Sequence, residues 1–378
     1  MRIVLSGIET NNKGAELMLY AILQEIEKVH PQAIVYVPHF AVRQGLSYVQ
    51  TLIDLRFKPN RWLSVSRICD VLRKLHFPYL PFSDAATISK TDYFIDASGF
   101  AFSDQWNPSD EKVKFWKYQL EGYKKQGAKI IFLPQAFGPV EKENTQKLLA
   151  VLNATADIIM PRENVSLSYL RKAKVDESKI KLYTDFTSLV KGECPKKYLR
   201  LKNGVCIIPN LRMIDKGTIS MDNYLEILSQ IIEKSQERGH CVYLLNHEGL
   251  GDESLAYQCQ KQLSHKVEVV TGLNALEVKG LISTAYLCVT SRFHGVASAL
   301  NSCVPCLATS WSHKYKELFN DYGLTDCVLD LNNLNSILEK VEEFLDPTNN
   351  INIRKQLEPQ VALIQKETRD MWNFIWNL

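Results

Sequence analysis

Short apolar runs and stretches of helical periodicity alternate along the chain. In the first half the runs are residues 3–6, 33–37, 93–96, 129–133, 158–160 and 180–183, and helical spacing occupies 15–29, 112–126, 145–154 and 166–173. Runs this short, bounded by polar loops, read as strands buried on both faces. Strand followed by helix, repeated, predicts a mostly parallel sheet covered by helices. The rhythm lapses at 190–203, a polar stretch containing Gly192 and Pro195 that reads as a linker. A second cycle follows, with strands at 204–209, 240–245, 267–270, 285–290 and 305–308 and helices at 222–238, 255–263, 276–283, 296–301, 313–322 and 334–344. The expected architecture is α/β, with two Rossmann-like domains facing a cleft: one over 1–195, one over 200–350. A helix over 353–378 ends in Trp372, Phe374 and Trp376, which should pack on the body of the protein.

Size agrees with two cores, because 378 residues exceed what one core usually holds. An apolar content of 46% and a charged content of 23% are ordinary for a globular protein. A net charge of +3, with scattered basic residues and no recognition motif, gives nucleic acid no footing. The nine cysteines form no disulfide framework, and Cys303-Val-Pro-Cys306 lacks the second pair that a zinc site would want. The run from Met1 to Gly7 looks like a first strand, too short for a signal peptide, and no run reaches the length of a membrane span. A reducing cytoplasm is the expected location.

One segment stands apart. Residues 55–82, opening on Leu55 and closing on Phe82, place Trp62, Val65, Ile68, Cys69, Leu72 and Leu75 at helical spacing among Arg61, Arg67, Arg73 and Lys74. Such a helix either covers the core or lies on an anionic membrane surface, and the second reading would give peripheral contact with the inner face of the membrane.

Chemistry is sought at the carboxyl ends of the strands, where open α/β sheets bind ligands. The strand at 285–290 runs into Ser291-Arg292-Phe293-His294-Gly295 and then a helix. An arginine, a histidine and a helix N-terminus all favour an anion. The first strand runs into a loop carrying Asn12, Lys13, Gly14 and Glu16, suited to a phosphate or a sugar hydroxyl, without the glycine spacing of a dinucleotide fingerprint. The strand at 93–96 leads to Ser98, Gly99 and Asp104, that at 129–133 to Gln135, and that at 158–160 to Arg162 and Ser166. Each loop alone is matched by a plain structural reading as a turn, a cap or a surface ion pair.

In order, Asn12-Lys-Gly-Ala-Glu16, Leu133-Pro-Gln-Ala-Phe-Gly-Pro139, Arg162-Glu-Asn-Val-Ser166, Asp185, Ser291-Arg-Phe-His294, Pro305 and Lys314 resemble the polysaccharide pyruvyl transferases across residues 1–330. Where that family often carries a glycine cluster, this chain has only Asp96-Ala-Ser-Gly99. The resemblance implies a GT-B-like fold and phosphoenolpyruvate as donor. Its pyruvate is placed as a ketal across two hydroxyls of a sugar, within a polysaccharide or lipid-linked precursor, and phosphate is released. It implies donor contacts from Arg162, Arg292 and His294, to which Gln135 and the helix start at Gly295 add. No metal or cofactor is expected.

The chemistry asked of these residues is consistent with their types. The donor carries a carboxylate and a phosphate, so guanidinium forks suit it. Ketal formation needs a proton on the methylene carbon and a protonated or stabilised leaving phosphate, and His294 is the natural acid, with Arg292 beside it. Glu16, Asp96 and Asp104 are candidates for the base. Asn12, Lys13, Glu16, Ser98 and Asp104 are candidate acceptor contacts. Two other functions stay open: a GT-B glycosyltransferase using a nucleotide sugar, and a non-catalytic sugar- or anion-binding relative.

Overall fold

The computed structural model describes residues 1–38, 49–52, 91–215, 217–309 and 313–378. Segment 55–82 lies outside them, and so does the membrane reading attached to it. The chain divides into two compact units: Met1–Thr10, Met18–Phe186 and Met371–Leu378 form one, Asn11–Leu17 and Thr187–Asp370 the other.

The first unit holds a six-stranded sheet. Its strands are β1 (Arg2–Ser6), β2 (Ile34–Pro38), β3 (Val49–Leu52), β4 (Tyr93–Asp96), β5 (Lys129–Gln135) and β6 (Ile158–Pro161), in the spatial order β3-β2-β1-β4-β5-β6. Every pairing is parallel. Burial on both faces explains the unbroken apolar runs: six consecutive residues of β5, Ile130 to Gln135, are buried. One face carries a core of Phe94, Phe102, Phe132, Phe137, Leu120, Tyr123, Leu148 and Leu152. Two of its helices show why they form where they do. Ser109 caps Asp110–Lys125, whose first turn is acidic and last turn basic, and Glu163 caps Asn164–Lys172.

The second unit repeats the plan with β7 (Val205–Ile208), β8 (Val242–Leu245), β9 (Glu268–Val270), β10 (Leu287–Thr290) and β11 (Cys306–Ala308), ordered β11-β10-β7-β8-β9 and again all parallel. The helix Met221–Glu237 starts on the Ser220 cap and buries Tyr224, Leu228, Ile231 and Ser235, one stripe at helical spacing. The helix Ala275–Ser283 opens on a full capping box between Asn274 and Glu277. In both sheets the order reverses beside the first strand of the unit, between β1 and β4 and between β7 and β10. These are the switch points where doubly wound sheets bind ligands.

Some boundaries differ from the sequence reading. Residues 180–183 form no strand; Ile180 makes only an isolated bridge to Ile159. Strand β3 was not foreseen. The stretch 190–203 is no loose connector: it contains the 3-10 helix Lys196–Leu201 with Tyr198 and Leu201 buried, and Gly192 lies against the backbone of Lys279 and Gly280. The last helix begins earlier, at Pro347, and runs through Pro359 to Trp376. Its end belongs to the first unit, where Trp372 meets Phe186, and Trp376 meets His30 and Tyr93 edge-on.

Candidate functional site

In the second unit, four chain segments converge at the β7/β10 switch point. Strand β10 ends at Thr290, whose hydroxyl accepts the Arg292 N–H at 3.0 Å. Arg292 is itself the N-cap residue of the helix Phe293–Asn301, so His294 lies in its first turn. Gly295 allows that helix to sit tight on the sheet, since a Cβ there would come within 2.9 Å of Thr290 Oγ1 and 3.3 Å of Ile208. Gly295 therefore has a packing role, whatever the helix start offers an anion.

Residues 11–17 supply the second segment. Asn12 Oδ1 accepts from the Gly14 N–H at 2.8 Å and so caps the helix Lys13–Val29. Lys13 and Glu16 form a buried ion pair at 2.6 Å. A Cβ on Gly14 would fall 2.3 Å from His294 Nδ1, so the glycine is what lets this imidazole approach the helix start. The third segment leaves β8: His247 accepts the Lys13 N–H through its carbonyl at 3.2 Å, and Asn12 and Glu248 form an antiparallel bridge. The fourth leaves β7, where the Asn210 amide donates to the Ser291 carbonyl at 2.8 Å.

Arg292 is held firmly. Asp252, 1% exposed, grips its guanidinium with both oxygens at 2.5–2.9 Å, and Glu248, 24% exposed, takes another of its N–H groups. The Leu211 N–H donates to Asp252 at 3.0 Å, fixing the carboxylate from behind. Burial lowers Arg292 to about 10 and pushes Asp252 up to about 7. The two-pronged contact is nevertheless an ionic geometry, and at neutral pH the pair stands as guanidinium and carboxylate. His247 is 3% exposed and its pKa lies well below the ordinary value, through burial first and then through Arg292, His294 and Lys13. It is a neutral imidazole at neutral pH, in a site that also holds the charges of Lys13 and Arg292.

The first unit gathers a different set at the β1/β4 switch point. Asp96 is fully buried. It accepts from Gln135 Nε2 at 3.1 Å and from the Ser98 hydroxyl at 2.8 Å, and desolvation raises its pKa despite these donors. Gln135 is thus engaged by Asp96, and Ser98 likewise. Asp104 caps backbone, accepting from the Glu141 and Lys142 N–H groups at 2.6 and 3.1 Å. Arg162 lies 5% exposed at the exit of β6, its N–H bonded to the Gln135 carbonyl at 3.0 Å. Asp185 is buried in the same unit.

Of the residues singled out in sequence, the fold brings Asn12, Lys13, Glu16, Arg292, His294 and Gly295 together in the second unit. It brings Ser98, Gln135 and Asp96 together in the first. His247, Glu248 and Asp252 were missed. The helix Gly249–Gln262 was expected to start only at 255. The usable signal was the strand-exit rule itself, because Asn246-His247-Glu248 directly follows β8. Among the described residues no group of three His, Cys, Asp or Glu side chains could hold a metal ion.

Two doubly wound α/β units with their polar clusters at the switch points define a GT-B-like protein, and comparison with solved structures agrees. HepE from Anabaena, in complex with UDP and glucose, aligns with a TM-score of 0.63 at 10% identity, covering 100% of this chain and 99% of that one. The UDP-GlcNAc 2-epimerase from Neisseria meningitidis, bound to UDP-GlcNAc, aligns with a TM-score of 0.60 at 11% identity and full coverage of both chains, 100% each. At such identities the likeness is one of fold. The polysaccharide pyruvyl transferase family model matches residues 12–313, and the chain belongs to that family. The amylovoran biosynthesis protein AmsJ of Erwinia amylovora is 23% identical over 270 residues, 65% of this chain. The chain matches 63% of the length of that curated relative.

Proposed function

We propose that the protein transfers the pyruvate unit of phosphoenolpyruvate onto two hydroxyls of a sugar in polysaccharide biosynthesis, forming a ketal and releasing phosphate. Family membership supports the reaction class. The observation that carries the donor assignment is the convergence of Lys13, His247, Arg292 and His294 on one switch point of the second unit. Glu248 is the more exposed of the two carboxylates on Arg292, and an incoming donor anion can take its place while Asp252 keeps the guanidinium aimed.

In this reading Arg292 and Lys13 hold the donor's negative groups. His294 delivers a proton to the methylene carbon, which makes C2 electrophilic for the first sugar hydroxyl. Phosphate then leaves as the second hydroxyl attacks C2. Glu16, a carboxylate of the same cluster, is assigned the proton that the first hydroxyl gives up, and the departing phosphate carries off that of the second. Arg162 is assigned to the donor by the family resemblance and stands as a separate assignment. So does the choice of Asn12 as an acceptor contact, Ser98 being taken up by Asp96.

Turnover tests the scheme. With phosphoenolpyruvate labelled at C3 with 13C, a ketal methyl signal should appear in a sugar product at the rate of phosphate release. His294→Ala should keep much of the donor affinity and lose turnover. Near-normal turnover in that variant would remove His294 as the acid. The specific rival is nucleotide-sugar transfer, and UDP release from a UDP-sugar without any use of phosphoenolpyruvate would establish it.

A further inference from the structure

The loop leaving β4 carries a feature that the transferase scheme does not use. Its polar residues are committed within the protein: Ser98 to Asp96, and Asp104 to the Glu141 and Lys142 N–H groups. Trp106, two residues beyond Asp104, nevertheless leaves 47% of its surface exposed. Keeping so large an apolar ring in water forgoes the stabilisation that burial would have contributed. Its polar handle is occupied, because Nε1 donates to the Phe100 carbonyl at 2.6 Å, and the Phe100 ring meets it edge-on at 6.2 Å. What Trp106 offers outward is therefore ring surface held in one orientation.

The support beneath it is rigid. The loop 99–107 is laced to the loop after β5 by Ala136 N–H to Gly99 O at 2.9 Å, Gly138 N–H to Phe102 O at 2.9 Å and Asp104 N–H to Pro139 O at 2.8 Å. Ser103 caps the 3-10 turn Asp104–Trp106, and Asn107 closes it in the left-handed region at φ 42°. A lid or a protein-docking loop needs none of this stitching; a preformed contact for a small rigid ligand does. The surroundings also choose among ligands. Exposed Asn107, Ser109, Asp110 and Glu111 follow Trp106 in the chain and Lys142 joins Asn107, a rim of mixed charge that suits hydroxyls.

We propose that Trp106 is the platform of a sugar subsite, on which the C–H face of a pyranose ring stacks while its hydroxyls reach the polar rim at Asn107 and Lys142, themselves joined at 3.1 Å. Naming that ring as part of the acceptor glycan rests on the transferase reading above. Its binding does not.

The test uses the full chain labelled with 5-fluorotryptophan, whose six fluorine lines include the one missing from Trp106→Phe. Methyl glycosides of galactose, mannose, glucose and N-acetylmannosamine are titrated against it, and phosphoenolpyruvate is titrated separately against the melting temperature. The proposal expects the Trp106 line to shift saturably with at least one glycoside. Trp106→Ala should weaken that glycoside about fivefold to tenfold, Trp106→Phe less so, and both should melt close to the wild type. A Trp106 line indifferent to every glycoside, or one that moves only with phosphatidylglycerol vesicles, would overturn it. A sugar response in a protein that ignores phosphoenolpyruvate would keep the subsite and sink the pyruvyl donor; the reverse pattern would do the opposite.

Discussion

At the scale of single residues, space at Gly14 decides whether His294 can act as the proposed acid. Alanine there would place a methyl 2.3 Å from the imidazole, at a helix position where alanine is otherwise the better helix former. Gly14→Ala should therefore melt within a few degrees of the wild type and lose about a hundredfold in turnover, the scale of a 1 Å misplacement. Arg292 and its partners make a second prediction. Removing the negative charge of the exposed partner, in Glu248→Gln, should tighten phosphoenolpyruvate binding by a few-fold in calorimetric titration. Asp252→Ala takes the two-pronged partner from a buried guanidinium, leaving it Glu248, and should cost about 3–5 kcal/mol of stability in urea unfolding.

His247 adds a pH effect with a defined sign. Its folded-state pKa lies well below the 6.5 of an ordinary histidine, so between those values the unfolded chain binds a proton that the folded one refuses. The stability linked to the neutral ring is fully present above the unfolded value and is lost as pH falls through the folded one, with a limiting slope of about 1.4 kcal/mol per pH unit. From about pH 7 to about pH 5 the wild-type Tm should drop faster than that of His247→Gln. Parallel curves would show that the folded protein protonates His247 as readily as the unfolded chain does.

At the scale of elements, two stretches of backbone cross closely where Gly192 and Gly280 meet. A Cβ on Gly280 would come within 2.2 Å of the Glu193 carbonyl carbon, and a Cβ on Gly192 within 2.2 Å of the Gly280 N. An alanine at an unconstrained helical glycine gains up to about 1 kcal/mol. Here Gly280→Ala should instead destabilise by about 1–3 kcal/mol, read from the urea midpoint at unchanged m-value. This crossing also explains part of what the sequence concealed. Strands buried on both faces announce themselves as apolar runs, so ten of the eleven strands of the described residues were legible and their helices followed. The Gly- and Pro-containing stretch 190–203 looked like a connector because backbone-to-backbone packing leaves no apolar signature. Residues 180–183 had apolar character and no partner strand to pair with along their length. On the site, strand exits pointed to Arg292, His294 and Lys13. Asp104 carried the right chemistry for an acceptor contact, and only the fold reveals that the Glu141 and Lys142 N–H groups consume it.

At the scale of the whole molecule, the same doubly wound plan appears twice, and each unit keeps its polar cluster at its own switch point. That plan is shared with HepE, solved with UDP and glucose, and with a 2-epimerase bound to UDP-GlcNAc, so fold cannot separate a pyruvyl donor from a nucleotide one. The donor site can. A ligand that binds only the folded state raises the melting temperature with concentration. The decisive measurement is a thermal-shift titration of the wild type and Arg292→Ala with phosphoenolpyruvate, beside UDP-glucose and UDP-GlcNAc. The account predicts a concentration-dependent rise with phosphoenolpyruvate in the wild type, absent from Arg292→Ala, and no rise with either nucleotide sugar. A rise with a nucleotide sugar alone would contradict it.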